Sequence, residues 1–568
     1  MSITILPNTN SNVSNDFYLQ HLIKFNIKNI SVPLANSIRR ILLANIPSVA
    51  FDDTWNDNKD ERTINIIKNT SGLHNEFLAH RLSLIPINMI NDTTRNILKI
   101  NTHFNGTTHK REFYFNSEDI PNFHLYIDVD SQSSQSKNRY GLFEVNTSHI
   151  QYSPDYTSDI ACSEYFQPDL HIKEVFNKNE YVILNMLKST EELNISFKPT
   201  IGLGKQNARY CSVGTVSYMF EIDDSKTEQV FQQTIEYANN ERVRKKLNIL
   251  SEQEIDIKKK SFMVLDNERV YKTNQYNEAN SFNFCVESIG ILPSHQLVYD
   301  ALTILKLNLY DIMHSFNNFE QYNNEVIYNN SHSYNDKISI KHSVENLYGY
   351  KITIQNENHT LGNVMNYYLN TLFVKNYLTK TPSIDNINDI DAIHSIPPID
   401  ISQTDLHTFK IPILEQCGYK MPHPLQEEIE FKMKIRNDIS DQVIDELYKT
   451  YSLELIKLYN IQISEQAKTI SFIDKRKTIV LYTFIKNITS ILSIVSGLMT
   501  EWTTQTDLLD APIDTSSFII SDPHDYFTVQ HTVPEQEQEQ EQEPEQQIEL
   551  MNTGGTVKRR KADGMRFK

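Results

Sequence analysis

The 568-residue sequence predicts an α+β protein built from two related modules, each a small sheet with long paired helices. Three observations carry that expectation. A helix pattern occurs twice, an alternating strand-like run precedes each copy, and each half later contains a long amphipathic helix.

The first strand signal is the alternation of Ile23, Phe25 and Ile27, which places three apolar side chains on one face of an extended segment. The helix that follows, VPLANSIRRILL, repeats apolar residues Leu34, Ile38, Ile41 and Leu42 at i, i+4, i+7 and i+8. The second copy, HTLGNVMNYYLNTL, has Leu361, Met365, Tyr368 and Leu369 at the same spacing and follows the alternating Tyr350, Ile352 and Ile354. A constant offset of 327 residues superposes the stripes, Ala35 on Gly362, and Asn36 on Asn363. Any two amphipathic helices share such a stripe; the matched small residue, Asn and preceding strand are what argue kinship. Pro33 suits a first helical turn, and Thr360 is the expected cap of the second copy.

Each half then has its long helix. One follows Pro293 and carries Val298, Leu302, Leu305, Leu309 and Ile312. In the other, Phe484, Ile488, Ile491, Leu492, Val495, Met499 and Trp502 fall within an arc of about 100°, with Lys486, Ser490, Ser493, Thr500 and Glu501 opposite. Residues 479–499 also have the length and apolarity of a membrane span, the alternative reading. The one-sided stripe and Lys486, costly in hydrocarbon, favour a helix packed in protein and no membrane.

Punctuation divides the chain into a folded stretch 1–316 with an inserted subdomain at about 88–194, and a connector 317–344. A second stretch, 345–505, has insertions at about 379–405 and 438–468, and a low-complexity tail occupies 506–568. The tail includes the Glu/Gln run 534–549, unable to build a core. It also holds a basic tip, Lys558, Arg559, Arg560 and Lys561, open to reading as an import signal, a nucleic-acid contact or mobile charge.

Composition narrows function. With 54 Lys and Arg against 72 Asp and Glu, the formal charge of −18 argues against a surface that wraps nucleic acid throughout. Cys162, Cys211, Cys285 and Cys417 are too scattered for a zinc site and read as free thiols in a reducing compartment. The N-terminus has neither the basic nor the long apolar region of a secretory signal, so an intracellular protein is expected. His74 and His80 stand six residues apart and cannot jointly hold a metal on one helix face. Gly202, Gly204 and Lys205 suggest a phosphate loop, but Pro199 and Gln206 occupy positions where one needs Gly and Ser or Thr, so a turn is expected. Asp128 with Asp130, and Asp389 with Asp391, lack the spaced ligands of an EF-hand. No catalytic residues, cofactor or metal are expected in this chain.

Four ordered blocks resemble the third-largest subunit of eukaryotic RNA polymerase II and its alpha-type relatives: SVPLANSIRRILLANIPSVAF, NTSGLHNEFLAHRLSLIPI, ISFKPTIGLGKQNARYCSVGTVSY and FCVESIGILP. NENHTLGNVMNYYL and GYKMPHPLQEEIEFKMKI, with a long helix ending at Glu501-Trp502, resemble that subunit's small partner, the eleventh subunit. Joining both in one chain is similar to what large DNA viruses do. The resemblance implies an alpha-like heterodimer made intramolecular, its two helix stripes and the 484–502 stripe forming the dimer interface. It further implies a non-catalytic platform that recruits the two largest polymerase subunits, meeting DNA and RNA only indirectly. The same resemblance puts Arg39 and Arg40 at the large-subunit interface, where guanidinium forks suit carboxylates. If the chain is viral, host cytoplasm or nucleus and packaging in the virion are implied. The zinc-binding cysteine cluster of many such subunits has no counterpart in residues 88–194, which hold only Cys162; packing by Phe113, Tyr114 and Phe115 is expected instead. The competing expectation is a stand-alone interaction scaffold that keeps the alpha-like fold without a transcription role.

Overall fold

A computed structural model describes residues 2–7, 20–54, 63–87, 98–105, 110–115, 124–130, 141–153, 181–274, 277–317, 337–342, 349–374, 413–437, 439–459, 472–509, 511–515 and 518–520, with residues 89 and 108. In chain order the first elements are β1 (Ser2–Ile5), β2 (Leu22–Lys28), α1 (Val32–Ala44), β3 (Pro47–Phe51), β4 (Ile64–Asn69) and α2 (Asn75–Ser83). Next come β5 (Ile100–Asn105), β6 (Lys110–Phe115), β7 (His124–Asp130), β8 (Phe143–Asn146), β9 (Gln151–Ser153), β10 (Ile183–Leu187), β11 (Glu192–Phe197) and β12 (Pro199–Leu203). The first half closes with β13 (Val213–Phe220), α3 (Asp224–Arg244), α4 (Glu252–Leu265), β14 (Ser281–Ser288) and α5 (Ser294–Asn317). The second half comprises β15 (Ile338–His342), β16 (Gly349–Gln355), α6 (His359–Phe373), β17 (Leu414–Lys420), β18 (Glu428–Ile435), α7 (Asp441–Tyr459), α8 (Phe472–Asp507) and β19 (Phe518–Ile520).

Two four-stranded antiparallel sheets have the same layout. The first runs β1-β2-β14-β13 and the second β15-β16-β18-β17, so in each the strand before the short helix pairs with the strand before a later long helix. The alternation that marked β2 buries Ile23, Phe25 and Ile27; that of β16 buries Tyr350, Ile352 and Ile354. Local geometry repeats at the same 327-residue offset. Asn29 and Asn356 both take left-handed backbone, with φ of 61° and 58°, a conformation Asn tolerates better than most residues. Two residues later Ser31 and Asn358 cap the helices, accepting from the amides of Leu34 at 3.3 Å and Thr360 at 2.8 Å. The cap of α6 is therefore Asn358, not Thr360, because the Asn side chain starts the turn two residues earlier.

The Ala35–Gly362 match has a steric cause. A Cβ at Gly362 would stand 2.7 Å from the Tyr419 ring of β17, so only a bare backbone fits there. Gly202 likewise lies directly under the ring of Tyr210, which leaves no room for a side chain. It sits within β12, paired with Ser48 of β3, rather than in the expected turn, which follows Leu203.

Four sequence-based boundaries shift. The sheet β4-β11-β7-β9 draws β4 from before residue 88 and ends after residue 194, so the inserted region is not a separable 88–194 block. Residues 337–342 of the expected connector form a strand and its buried entry residue, Lys337. In the region expected as an insertion at 438–468, α7 packs on α8, burying Ile444 and Leu447 and stacking Tyr451 on Tyr482 at 4.0 Å. Finally, α8 reaches Asp507 and β19 pairs in parallel with β5, inside the stretch expected to be tail. Ala511 and Phe518 are buried there, an apolar anchor too short to register as periodicity. The 379–405 insertion, the Glu/Gln run, the basic tip, Cys162, Asp389 and Asp391 lie outside the described residues.

Helices α3 and α4 form a hairpin with its own small core of Phe231, Ile235, Leu250, Phe262 and Val270. A second, far larger cluster runs continuously through both sheets and the helices between them.

Candidate interface site

The helices α1, α5, α6 and α8 meet in one layer. Within the halves, α1 and α5 contact the first sheet, and α6 and α8 the second; between the halves, α1 packs on α6 and α5 on α8. The exchange extends to the sheets, where α8 contacts β1 and α5 contacts β15. Crossing of α1 and α6 is antiparallel: Ser31 hydrogen-bonds Tyr368, and at the other ends Arg40 Nε donates to Thr360 Oγ1 at 2.8 Å. Ends exchanged in this way are the mark of a two-fold relation.

The stripes fill this layer. Leu34, Ile38, Ile41 and Leu42 of α1 are buried, as are Leu361, Met365 and Leu369 of α6; Tyr368 is half-buried. On α8, Phe484, Ile488, Ile491, Leu492, Val495 and Trp502 are buried and Met499 is half-buried. The burial of α8 is wider than its stripe, however, and takes in Ile479, Val480, Tyr482, Ile485 and Leu498. Lys486, Ser490 and Glu501, expected on a solvent face, are half-buried, while Ser493 and Thr500 are exposed. Residues 475–507 are long and apolar enough to cross a membrane, and 61% of the most apolar window is buried within the protein.

Several contacts tie the stripe to partners that periodicity does not reveal. Trp502 packs edge to face with Phe25 of β2, their ring centroids 4.8 Å apart, and donates from Nε1 to the His295 carbonyl at 3.0 Å. Phe484 meets Phe316 of α5 at 5.8 Å and Phe431 of β18 at 5.3 Å. The Asn487 amide donates to the Met365 carbonyl at 3.1 Å, tying α8 to α6. Tyr367 donates its hydroxyl to Glu278 at 2.9 Å; burial, then this bond to a carboxylate, pushes its phenol far above the ordinary range. Burial likewise pushes the Cys417 thiol up to about 12, which leaves it neutral and unreactive.

At one edge of the layer a cavity of about 150 Å³ collects charge. Arg111 of β6 pairs with Asp311 of α5, and Lys337 with Glu357 at 3.2 Å. At its rim Lys110, at 3.6 Å, and Lys205 both reach Glu427. The Asn356 amide donates to the Thr108 carbonyl at 3.0 Å. The only sequence signals for this cluster were an Asp within the apolar run of α5 and a Glu just before α6.

Arg39 is half-buried and bonds Asn36 Oδ1 from Nε at 3.1 Å and Nη2 at 3.0 Å. Its neighbour Arg40 is exposed, yet its Nε is committed to Thr360, so the two arginines are not equivalent. His74 caps α2 by accepting from the Glu76 amide at 3.4 Å, and both His74 and His80 are exposed on that helix. Among the described residues no group of three His, Cys, Asp or Glu is placed to hold a metal ion.

Comparison with known proteins matches residues 24–309, just over half of the chain, to the RNA polymerase Rpb3/Rpb11 dimerisation domain. The DNA-directed RNA polymerases IV and V subunit 3B of Arabidopsis thaliana is 24% identical over 312 residues, 52% of this chain and 88% of that protein. The DNA-directed RNA polymerases I and III subunit RPAC1 of Bos taurus is 26% identical over 299 residues, 50% of this chain and 79% of its own length. The archaeal DNA-directed RNA polymerase subunit Rpo3 of Archaeoglobus fulgidus is 23% identical over 292 residues, 50% of this chain and 89% of that protein.

Proposed function

Because the chain belongs to the RNA polymerase Rpb3/Rpb11 dimerisation-domain family, we propose that it is an Rpb3-like assembly subunit of a DNA-directed RNA polymerase that carries its Rpb11-like partner in the same polypeptide. The observation that carries the fused reading is the second four-stranded sheet, equal in strand order to the first and joined to it through α1, α5, α6 and α8. A tethered partner is present at an effective concentration of about millimolar and at fixed stoichiometry, so the platform forms without a bimolecular search.

The work of the subunit is done by surfaces. The stripes of α1, α6 and α8 join the halves, and the guanidinium of Arg39 with its neighbour Arg40 meets carboxylates of the two largest subunits. DNA and RNA are reached only through those subunits, in keeping with the formal charge of −18. Fusion of the two partners supports a large DNA virus as the source, with transcription in the host cytoplasm or nucleus and carriage of the enzyme in the virion.

Affinity purification of the full chain followed by mass spectrometry tests the assignment: both largest subunits are expected in the recovered complex. Recovery without them rejects the polymerase role in favour of a stand-alone scaffold. Arg39→Glu is the cleaner probe of the large-subunit contact, since the bonds of Arg39 stay within α1, whereas Arg40→Glu also breaks a bond between the halves, to Thr360. Unchanged recovery of the second-largest subunit with Arg39→Glu rejects the placement of that residue.

A further inference from the structure

We propose that Arg111, Asp311, Lys337 and Glu357 act together as an electrostatic register that lets the two modules pair only with each other and only in this alignment. The inference rests on the reading of the modules as pairing partners. Each buried ion pair belongs to one half. Arg111 and Asp311 of the first are 6% and 3% exposed, with Nε 3.1 Å from Oδ2. Lys337 and Glu357 of the second are 3% and 12% exposed.

The pairs are not independent. They line the same small cavity, closed on its apolar side by Ile41 and Leu361. The Lys337 ammonium sits 5.2 Å from the centroid of the Phe104 ring, and Phe104 is the cross-strand partner of Arg111. Burial raises the Glu357 carboxyl, Lys337 counters this, and the negative charge of Asp311 from the other half adds to the rise. Glu357 is thus held by its own cation while feeling the carboxylate of the opposite pair.

A buried ion pair adds little net stability over an apolar replacement, but it strongly penalises any partner that leaves it mismatched. The repeat shows what a wrong partner offers. At the offset that relates the modules, Glu357 corresponds to Ile30, a buried apolar residue. Two first modules brought together would therefore set Arg111 and Asp311 against Ile30 where the true partner offers Glu357. A slipped register would carry Lys337 and Glu357 away from Arg111 and Asp311. The stripes are apolar on both sides and cannot make this distinction by themselves.

The test uses the full chain and exchanges charges within pairs: Arg111→Asp with Asp311→Arg, Lys337→Glu with Glu357→Lys, and all four together. Thermal midpoint and mass in solution by light scattering are the readouts. Either exchange alone is expected to lower the midpoint and shift the chain toward larger species, and the fourfold exchange to recover most of that loss. Exchanges that leave the midpoint unchanged, or whose losses add in the fourfold variant, overturn the proposal. The near-isosteric cycle of Asp311→Asn and Glu357→Gln serves as a second measurement that does not depend on the exchanged proteins folding: non-additive midpoint shifts support the register and additive shifts overturn it. Neither readout involves the large subunits. Their absence from the purified complex strikes the polymerase role, whereas an additive cycle with the large subunits retained strikes the register alone.

Discussion

Trp502 shows how much one side chain can carry when it serves two halves at once. Its ring packs on Phe25 and its indole nitrogen bonds a backbone carbonyl of α5, so packing and polar terms separate by substitution. Trp502→Phe keeps most of the apolar volume and is expected to cost about 1–2 kcal/mol, from the lost indole hydrogen bond and the smaller ring; Trp502→Ala is expected to cost about 3–5 kcal/mol. Equilibrium denaturant unfolding distinguishes the two. Gly362→Ala forces a methyl against the Tyr419 ring and is expected to lose about 1–3 kcal/mol by the same measurement, although Ala stands at the related position 35. Glu430 supplies a pH signature. Burial alone would raise its carboxyl, but hydrogen bonds from Lys351 and then Lys420, and their charges, hold it below the usual range. A lowered folded pKa gives stability that is present above the unfolded value of about 4.3 and is lost as pH falls through the folded one. The midpoint difference between wild type and Glu430→Gln should therefore be full at neutral pH and shrink as the solution is acidified below about pH 4. A constant difference would assign Glu430 no ionic role.

At the scale of elements, local pattern and distant pairing were unequally legible. The stripes of α1 and α6 could be read because 3.6-residue periodicity is written into adjacent residues, and the residues it picked out on both helices are buried apart from the half-buried Tyr368. The Arg111–Asp311 pair joins residues 200 apart, and no local signal links a strand arginine to a helix aspartate. The same reason hid β19. Three residues are too few for alternation to register, and their partner β5 lies in the other half of the sequence. The segment before β19 is held by Gln296, whose amide donates to the Asp514 carbonyl at 3.0 Å while its oxygen accepts from the Asp514 amide at 2.9 Å. Ile519→Pro removes a strand donor and is expected to release this segment, seen as faster limited proteolysis around residues 511–520 with little change in the rest of the digest. Digestion at the wild-type rate would show the pairing to be dispensable.

Over the whole molecule, the apolar stripes and the charged cavity divide the labour. Stripes supply contact area, which is roughly indifferent to partner, while charges discriminate. The continuous core through both sheets fits a single cooperative unit, so denaturation followed by tryptophan fluorescence and by far-UV circular dichroism is expected to give coincident transitions. Separate transitions would mean that the halves hold together less firmly than they hold themselves.

The return of β19 to β5 has a consequence for synthesis. β5 is made early, and the strand that covers its edge is made only after the entire second half. Until then the growing chain displays an open sheet edge, the kind of surface that recruits stray strands.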